Sequence, residues 1–108
     1  MKTKIKRIPY GKQWIGKEEL RAMAAVLKSD FLTQGPKVQE LETRLAKTVR
    51  AKYAVAVANG TAALHLAAIA IGLKPGDEVI TTPISFIATS NAALYVGAKP
   101  VFVDIDPE

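Results

Sequence analysis

Hydrophobic and polar positions along the chain follow two regimes. Up to about residue 50 the apolar residues recur at helical spacing: Leu20, Met23, Ala24 and Leu27 in one stretch, then Val38, Leu41, Leu45 and Val49 in another. Glu18 and Glu19 stand at the start of the first stretch, where carboxylates favour the positive end of the helix dipole, and Pro36 suits the first turn of the second. The pattern predicts amphipathic helices over 17–29 and 36–50, framing a short polar loop, DFLTQG, over 30–35. Beyond residue 51 the apolar positions become continuous. The run YAVAV over 53–57 predicts a strand buried on both faces of a parallel sheet. An Ala/Leu-rich helix is expected over 61–71, closed by Gly72 and followed by the turn Lys74-Pro75-Gly76-Asp77. A strand over 78–81, a helix over 85–96 ending at Gly97 and a strand over 100–104 complete the pattern. Strand, helix, strand, helix, strand with connections of this length implies crossovers and a mostly parallel sheet with flanking helices, that is, an α/β fold. The expected division is an extended segment over 1–16, two helices with their loop over 17–50, and an incomplete βαβαβ part over 51–108.

Composition narrows the chemistry. The 108 residues contain no Cys and a single His, His65, which excludes a disulfide framework, a thiolate zinc site, a cysteine nucleophile and a histidine metal cluster. The most apolar run, 62–71, is about ten residues and falls well short of the roughly 20 that span a bilayer. The basic start MKTKIKR is followed by Pro9, Tyr10, Gly11 and Lys12 instead of an apolar core, so it reads as mature protein, and nothing points outside the cytoplasm. The net charge of +5 is concentrated at the start, where residues 1–28 hold eight Lys/Arg against two Glu. A basic arm could touch nucleic acid or a phosphorylated small molecule, but a genuine footprint is usually sustained across a folded face; a short solvated arm is the expected reading, and nucleic acid is not an expected partner.

In an open parallel sheet, ligands gather where strands hand over to helices. Asn59-Gly60-Thr61 combines a strand end, a Gly that lets backbone approach a ligand, and a hydroxyl at a helix start, whose unpaired N–H groups suit a phosphate. An ordinary N-cap explains the same residues. Neither the GxGxxG nor the GxxxxGK[ST] pattern is present, so dinucleotide and P-loop readings lose their support. Phe86, just past the second strand end, offers a ring face for a planar cofactor or a core contact. Ser85 and Thr89 read as local capping or hydrogen-bonding residues, and His65 as a satisfied core or interface histidine. Asp104 and Asp106 share a strand face or act as turn carboxylates. Lys52, Lys74 and Lys99 fall in turns or solvated ends, unlike the buried lysine that covalent amine chemistry requires.

The motifs IPYGKQ, LKSDFLTQGPKVQELE, AKYAVAVANGTAALHLA and GDEVITTPISFIATSNAALYVGAKPVFVDID, in this order, resemble the N-terminal portion of the DegT/DnrJ/StrS sugar aminotransferases. The resemblance runs from Ile8 to the last residue. It implies a fold type I large domain that uses pyridoxal 5′-phosphate (PLP), with Asn59, Gly60 and Thr61 in the turn that holds the PLP phosphate and Phe86 stacked on its pyridine ring. Where the family pattern often has Ser-Ala or Ser-Gly before the Thr, this chain has Asn59-Gly60. It further implies that Tyr10, Asp30, Phe31, Leu32 and Thr33 line a sugar nucleotide site. The implied reaction moves an amino group, typically from glutamate, to a 4-keto UDP-sugar, in a homodimer, with SDFLTQGPKV and ITTPISFIATSN most similar to the subgroup of pseudaminic acid biosynthesis. The Schiff-base lysine of similar enzymes lies beyond Glu108, so the chain is expected to be an inactive N-terminal fragment with no catalytic residue of its own. A PLP-dependent dehydratase of the same family, or a non-catalytic phosphate-binding module, would share these residues. Lys4, Lys6 and Arg7 would sit before Tyr10, where they could attract a nucleotide diphosphate.

Overall fold

The computed structural model describes residues 9–106, so the basic residues Lys4, Lys6 and Arg7 lie outside the described residues. The chain divides into two compact units, Met1–Ala54 and Val55–Glu108.

The first unit holds the two amphipathic helices, α1 (Lys17–Leu27) and α2 (Pro36–Thr48). At the start of α1 the Gly16 N–H donates to Glu19 Oε2 at 2.6 Å, which satisfies one of the donors a helix start leaves unpaired. Hydrogen bonds from the backbone N–H groups of Glu19 and Gly16 hold the Glu19 carboxyl below the usual carboxylate range. After α1 the Ser29 hydroxyl donates to the Val26 carbonyl at 2.8 Å and turns the chain into the loop. Gly35 precedes Pro36 as the N-cap of α2. A Cβ on Gly35 would lie 2.7 Å from Phe31 Cβ, so only glycine lets the loop close this tightly. On α2, Glu40 bridges Lys37 and Arg44, one turn to either side, through contacts of 2.5 and 2.6 Å. The helix ends in paired turn bonds, Arg50 N–H to Lys47 and Ala51 N–H to Ala46, with Arg50 itself at φ 56°. The predicted stripes exist but are uncovered: α1 buries no residue and α2 buries only Ala46. No Cα of α1 comes within 8 Å of a Cα of α2, and an apolar groove of about 570 Å³ opens beside them, floored by Met23, Val26, Leu27, Leu32 and Leu41.

The second unit runs α3 (Gly60–Ala70), β1 (Glu78–Thr81), α4 (Ala88–Tyr95) and β2 (Lys99–Phe102). Strands β1 and β2 pair in parallel with Glu78 opposite Lys99 and Thr81 opposite Phe102. Lys99 N–H to the Asp77 carbonyl and Val103 N–H to the Thr81 carbonyl, both 2.9 Å, extend the ladder at its two ends. Lys99 Nζ meets Glu78 Oε1 at 2.9 Å across this register. Parallel pairing demands a crossover, and α4 supplies it, packing on both strands and on α3. The buried residues at this junction are small: Ala68, Ala88, Ala92, Ala93 and Ala98, with Ser90 among them.

Three expectations need correction. The run 53–57 belongs to neither strand of the sheet, and Tyr53 and Val55 are each 75% exposed. A strand of this composition is stable between two covered faces, and among the described residues most of the Tyr53 and Val55 surface is left uncovered. Helix α4 begins at Ala88, three residues later than the pattern suggests, because 82–87 form a turn in which Thr82 Oγ1 accepts from the Ile84 N–H at 3.3 Å. Strand β2 stops at Phe102, and Asp104 turns its Oδ1 onto the Ile105 N–H at 2.9 Å, a turn carboxylate.

Gly97 ends α4 at φ 78°, and a Cβ there would lie 2.8 Å from Pro75 Cγ. Conformation and contact thus both require glycine where the turn at Pro75 meets the end of α4. Gly97→Ala is expected to lower stability by about 2 kcal/mol or more, read as a drop in denaturation midpoint with unchanged slope. A second expectation concerns pH. The hydrogen bond from Lys37, its charge, and the charge of Arg44 hold Glu40 below the ordinary carboxylate range. A depressed folded-state pKa contributes stability that is present above the unfolded value and is lost as pH falls through the folded one. Glu40→Gln should therefore flatten the acid limb of the stability profile, and an unchanged limb would show that this exposed cluster contributes nothing.

Candidate functional site

The start of α3 holds the sharpest polar geometry of the second unit. Asn59 is its N-cap in extended backbone, φ −165° and ψ 171°, and its Oδ1 accepts from the Ala62 N–H at 2.9 Å. The Asn59 carbonyl accepts from the Ala63 N–H at 3.1 Å, the first bond of the helix. Two of the four leading donors are thereby used. The N–H groups of Gly60 and Thr61 have no hydrogen-bond partner among the described residues, nor does the Thr61 hydroxyl. Both residues sit at the positive end of an eleven-residue helix.

Gly60 is informative because no contact among the described residues requires it. Its φ lies outside the left-handed region, and a Cβ built there meets no atom within 4 Å. The space it leaves is open, directly beside two free N–H groups. That arrangement fits an anion pressed against backbone, which is the shape of a phosphate cradle.

Phe86 lies on the turn between β1 and α4, at the carboxyl end of β1, with its side chain 75% exposed. Its ring has no aromatic partner among the described residues; the ring pair found is His65 with Tyr95, centroids 5.1 Å apart, at the contact of α3 and α4. His65 is thus half-buried against a ring, in keeping with the structural role its sequence context suggests. The Phe86 carbonyl accepts from the Thr89 N–H at 3.0 Å, and Ser85 Oγ lies 3.0 Å from Thr89 Oγ1.

Asn59, Gly60 and Thr61 are brought together on one helix start, and Phe86 stands in the same unit. Tyr10, Asp30, Phe31, Leu32 and Thr33 belong to the other unit, where all five are exposed. Within that loop, Gln34 at φ 53° and Gly35 against Phe31 set the path of 30–33. Neither stood out as functional in the sequence, although the Gln-Gly-Pro run carries the turn signal. The lysines behave as surface groups: Lys99 pairs with Glu78, Lys52 Nζ lies 5.2 Å from the Tyr53 ring centroid, and Lys74 is exposed in its turn. Among the described residues no group of acidic and histidine side chains could hold a metal, and no helix is long and apolar enough to cross a membrane.

A parallel β-α-β unit, preceded by a helix whose first N–H groups are open, defines an α/β domain. More narrowly, the chain belongs to the DegT/DnrJ/EryC1/StrS aminotransferase family, whose sequence profile matches residues 13–108. It is 52% identical over 99 residues to the spore coat polysaccharide biosynthesis protein SpsC of Bacillus subtilis, which covers 92% of this chain and 25% of SpsC. Among solved structures it is similar to Spr1654 of Streptococcus pneumoniae, assigned as a sugar aminotransferase, in its PLP form. That match has TM-score 0.85 and 36% identity, over 92% of this chain and 25% of the other. A GDP-4-keto-6-deoxymannose-3-dehydratase with a trapped PLP-glutamate geminal diamine gives TM-score 0.86 at 34% identity, over 93% and 28% of the two chains. The chain spans about a quarter of the length of these relatives.

Asn59→Ala is expected to lower thermal stability by about 1 kcal/mol through loss of the cap. Gly60→Ala, by contrast, should leave stability unchanged or slightly raised, since its Cβ meets only open space. A destabilised Gly60→Ala would mean that the protein's own packing, and not a ligand, requires the glycine.

Proposed function

We propose that this chain supplies the phosphate cradle and the ring-stacking aromatic of a PLP-dependent sugar aminotransferase. The observation that carries the reading is the start of α3, with two unpaired N–H groups, a free hydroxyl and a glycine whose missing Cβ faces open space. In it the N–H groups of Gly60 and Thr61 and the Thr61 hydroxyl hold the phosphate. Asn59 keeps the helix start rigid through its cap, so its contribution to binding is the shape of the turn. Phe86 covers one face of the pyridine ring, and its exposed side chain is free to do so. When bound, PLP supplies an aldehyde that condenses with amines and a ring that withdraws electrons from the reacting carbon. The family membership and the PLP and PMP forms among its structural relatives support this assignment.

The proposed substrate is a 4-keto UDP-sugar and the donor an amino acid, with glutamate favoured. Tyr10, Asp30, Phe31, Leu32 and Thr33 line the sugar nucleotide site in this reading. The motifs SDFLTQGPKV and ITTPISFIATSN support a role like that of UDP-4-amino-4,6-dideoxy-N-acetyl-β-L-altrosamine transaminase in pseudaminic acid biosynthesis. The whole enzyme acts as a homodimer, with the lysine that engages PLP outside this chain. The likeness to a dehydratase supports a second reading, in which the same cradle serves removal of a sugar hydroxyl. The two separate on incubation of the whole enzyme with glutamate and a 4-keto UDP-sugar: an amino sugar product supports transamination, and a deoxy sugar with no nitrogen gained supports dehydration.

The cradle itself is tested by PLP retention on dialysis. Phe86→Ala should weaken retention most and Thr61→Ala less, since backbone N–H groups carry most of the phosphate. Unchanged affinity in Phe86→Ala defeats the stacking assignment, and a larger effect for Thr61→Ala reverses the ranking.

A further inference from the structure

Phe86 can cover a ring only if the turn that carries it holds still, and this turn has little packing of its own. Ile84, Phe86 and Ile87 are all exposed, and burial resumes only at Ala88 and Ser90. What fixes the turn is therefore hydrogen bonding, and one residue makes two of the bonds. Thr89, in the first turn of α4, donates its N–H to the Phe86 carbonyl at 3.0 Å, and its Oγ1 lies 3.0 Å from Ser85 Oγ. It thus grips the chain at Phe86 and again at the residue before it. Thr89 is itself held firmly, because it stands between Ala88 and Ser90, both buried, and the Ser90 hydroxyl donates to the Ile87 carbonyl at 3.1 Å. In a helix the χ1 of Thr divides mainly between two rotamers, and here Oγ1 occupies one that meets Ser85 Oγ.

We infer that Ser85 and Thr89 are positioning residues, whose hydroxyl-to-hydroxyl bond anchors the Phe86 turn to α4 and sets the angle of the ring toward a planar cofactor. The inference rests on the assignment of Phe86 as the stacking residue. The backbone bond from Thr89 alone fixes the carbonyl of Phe86 but leaves the peptide on its N-terminal side free to rock; the side-chain bond to Ser85 removes that freedom. Neither hydroxyl needs to touch the cofactor for this role. Their effect passes through the ring.

The test uses the whole enzyme that contains these residues, with PLP affinity, the circular dichroism induced in bound PLP, and thermal stability as readouts. Thr89→Val and Ser85→Ala should each weaken PLP binding about fivefold, the worth of one net hydrogen bond, and reduce the induced dichroism. Thr89→Ser should retain both signals. The double variant should match either single one, because both remove the same bond. In a Phe86→Ala background, Thr89→Val should have no further effect on PLP affinity. The positioning role is overturned if Phe86→Ala weakens binding while Thr89→Val does not, if Thr89→Val keeps its full effect without the ring, or if only thermal stability changes. Unchanged affinity in Phe86→Ala defeats the stacking assignment first, and this inference with it.

Discussion

The parallel pairing of β1 with β2 is the constraint on which the second unit depends. Two parallel neighbours cannot be joined by a tight turn, so the chain must leave the end of β1, cross over a face of the sheet and return to its beginning. Helix α4 makes that return, and the chain is therefore committed to a turn at the carboxyl end of β1 and another at the start of β2. The first turn carries Phe86. The second is locked where Gly97 meets Pro75. Topology thus decides that the exposed ring sits at the ligand-gathering end of the strands, before any side-chain chemistry is considered.

What holds the crossover in place is smallness. Nearly all of the buried positions are alanines, which let α4 approach α3 and the strands closely but bury little apolar area each. Large apolar residues, among them Leu20, Leu41, Val55, Ile80 and Phe102, remain on the surface. At about 25 cal/mol per Å² of apolar surface, this exposed area is a larger potential source of stability than the buried alanines. Surfaces of this kind mark contact with further protein, and they sit comfortably with a chain that spans about a quarter of its relatives.

The sequence was legible where local chemistry decides. The strand over 78–81 lies between the Gly76-Asp77 turn and Thr82-Pro83, and β1 occupies those residues. Pro36 marks the first residue of α2, and Gly72 and Gly97 close α3 and α4. Legibility failed where the deciding partner is distant. The run 53–57 has every local mark of a strand, but a strand exists only in a ladder, and periodicity carries no information about whether a neighbour is at hand. The pattern sets the start of α4 too early because Ser85 and Phe86 are as compatible with a helix as with the turn they form; Pro83 and the Thr82 bond to Ile84 tip the balance. For the candidate site, the tripeptide at the start of α3 was visible, while its state was not. The Asn59 side-chain oxygen is spent on Ala62 and the space beside Gly60 is open, and both depend on how the chain folds around the tripeptide.

The cap at Asn59 has a chemical side as well as a mechanical one. An asparagine followed by glycine is the pair in which a backbone nitrogen most readily attacks the neighbouring side-chain amide, because glycine offers no steric shield. Here the nitrogen is that of Gly60, one of the proposed phosphate donors, and the side chain it would attack is tied to Ala62. Attack therefore requires the first turn of α3 to open, so the durability of the cradle during ageing is governed by local unfolding. Any anion bound to that nitrogen would lengthen its lifetime further.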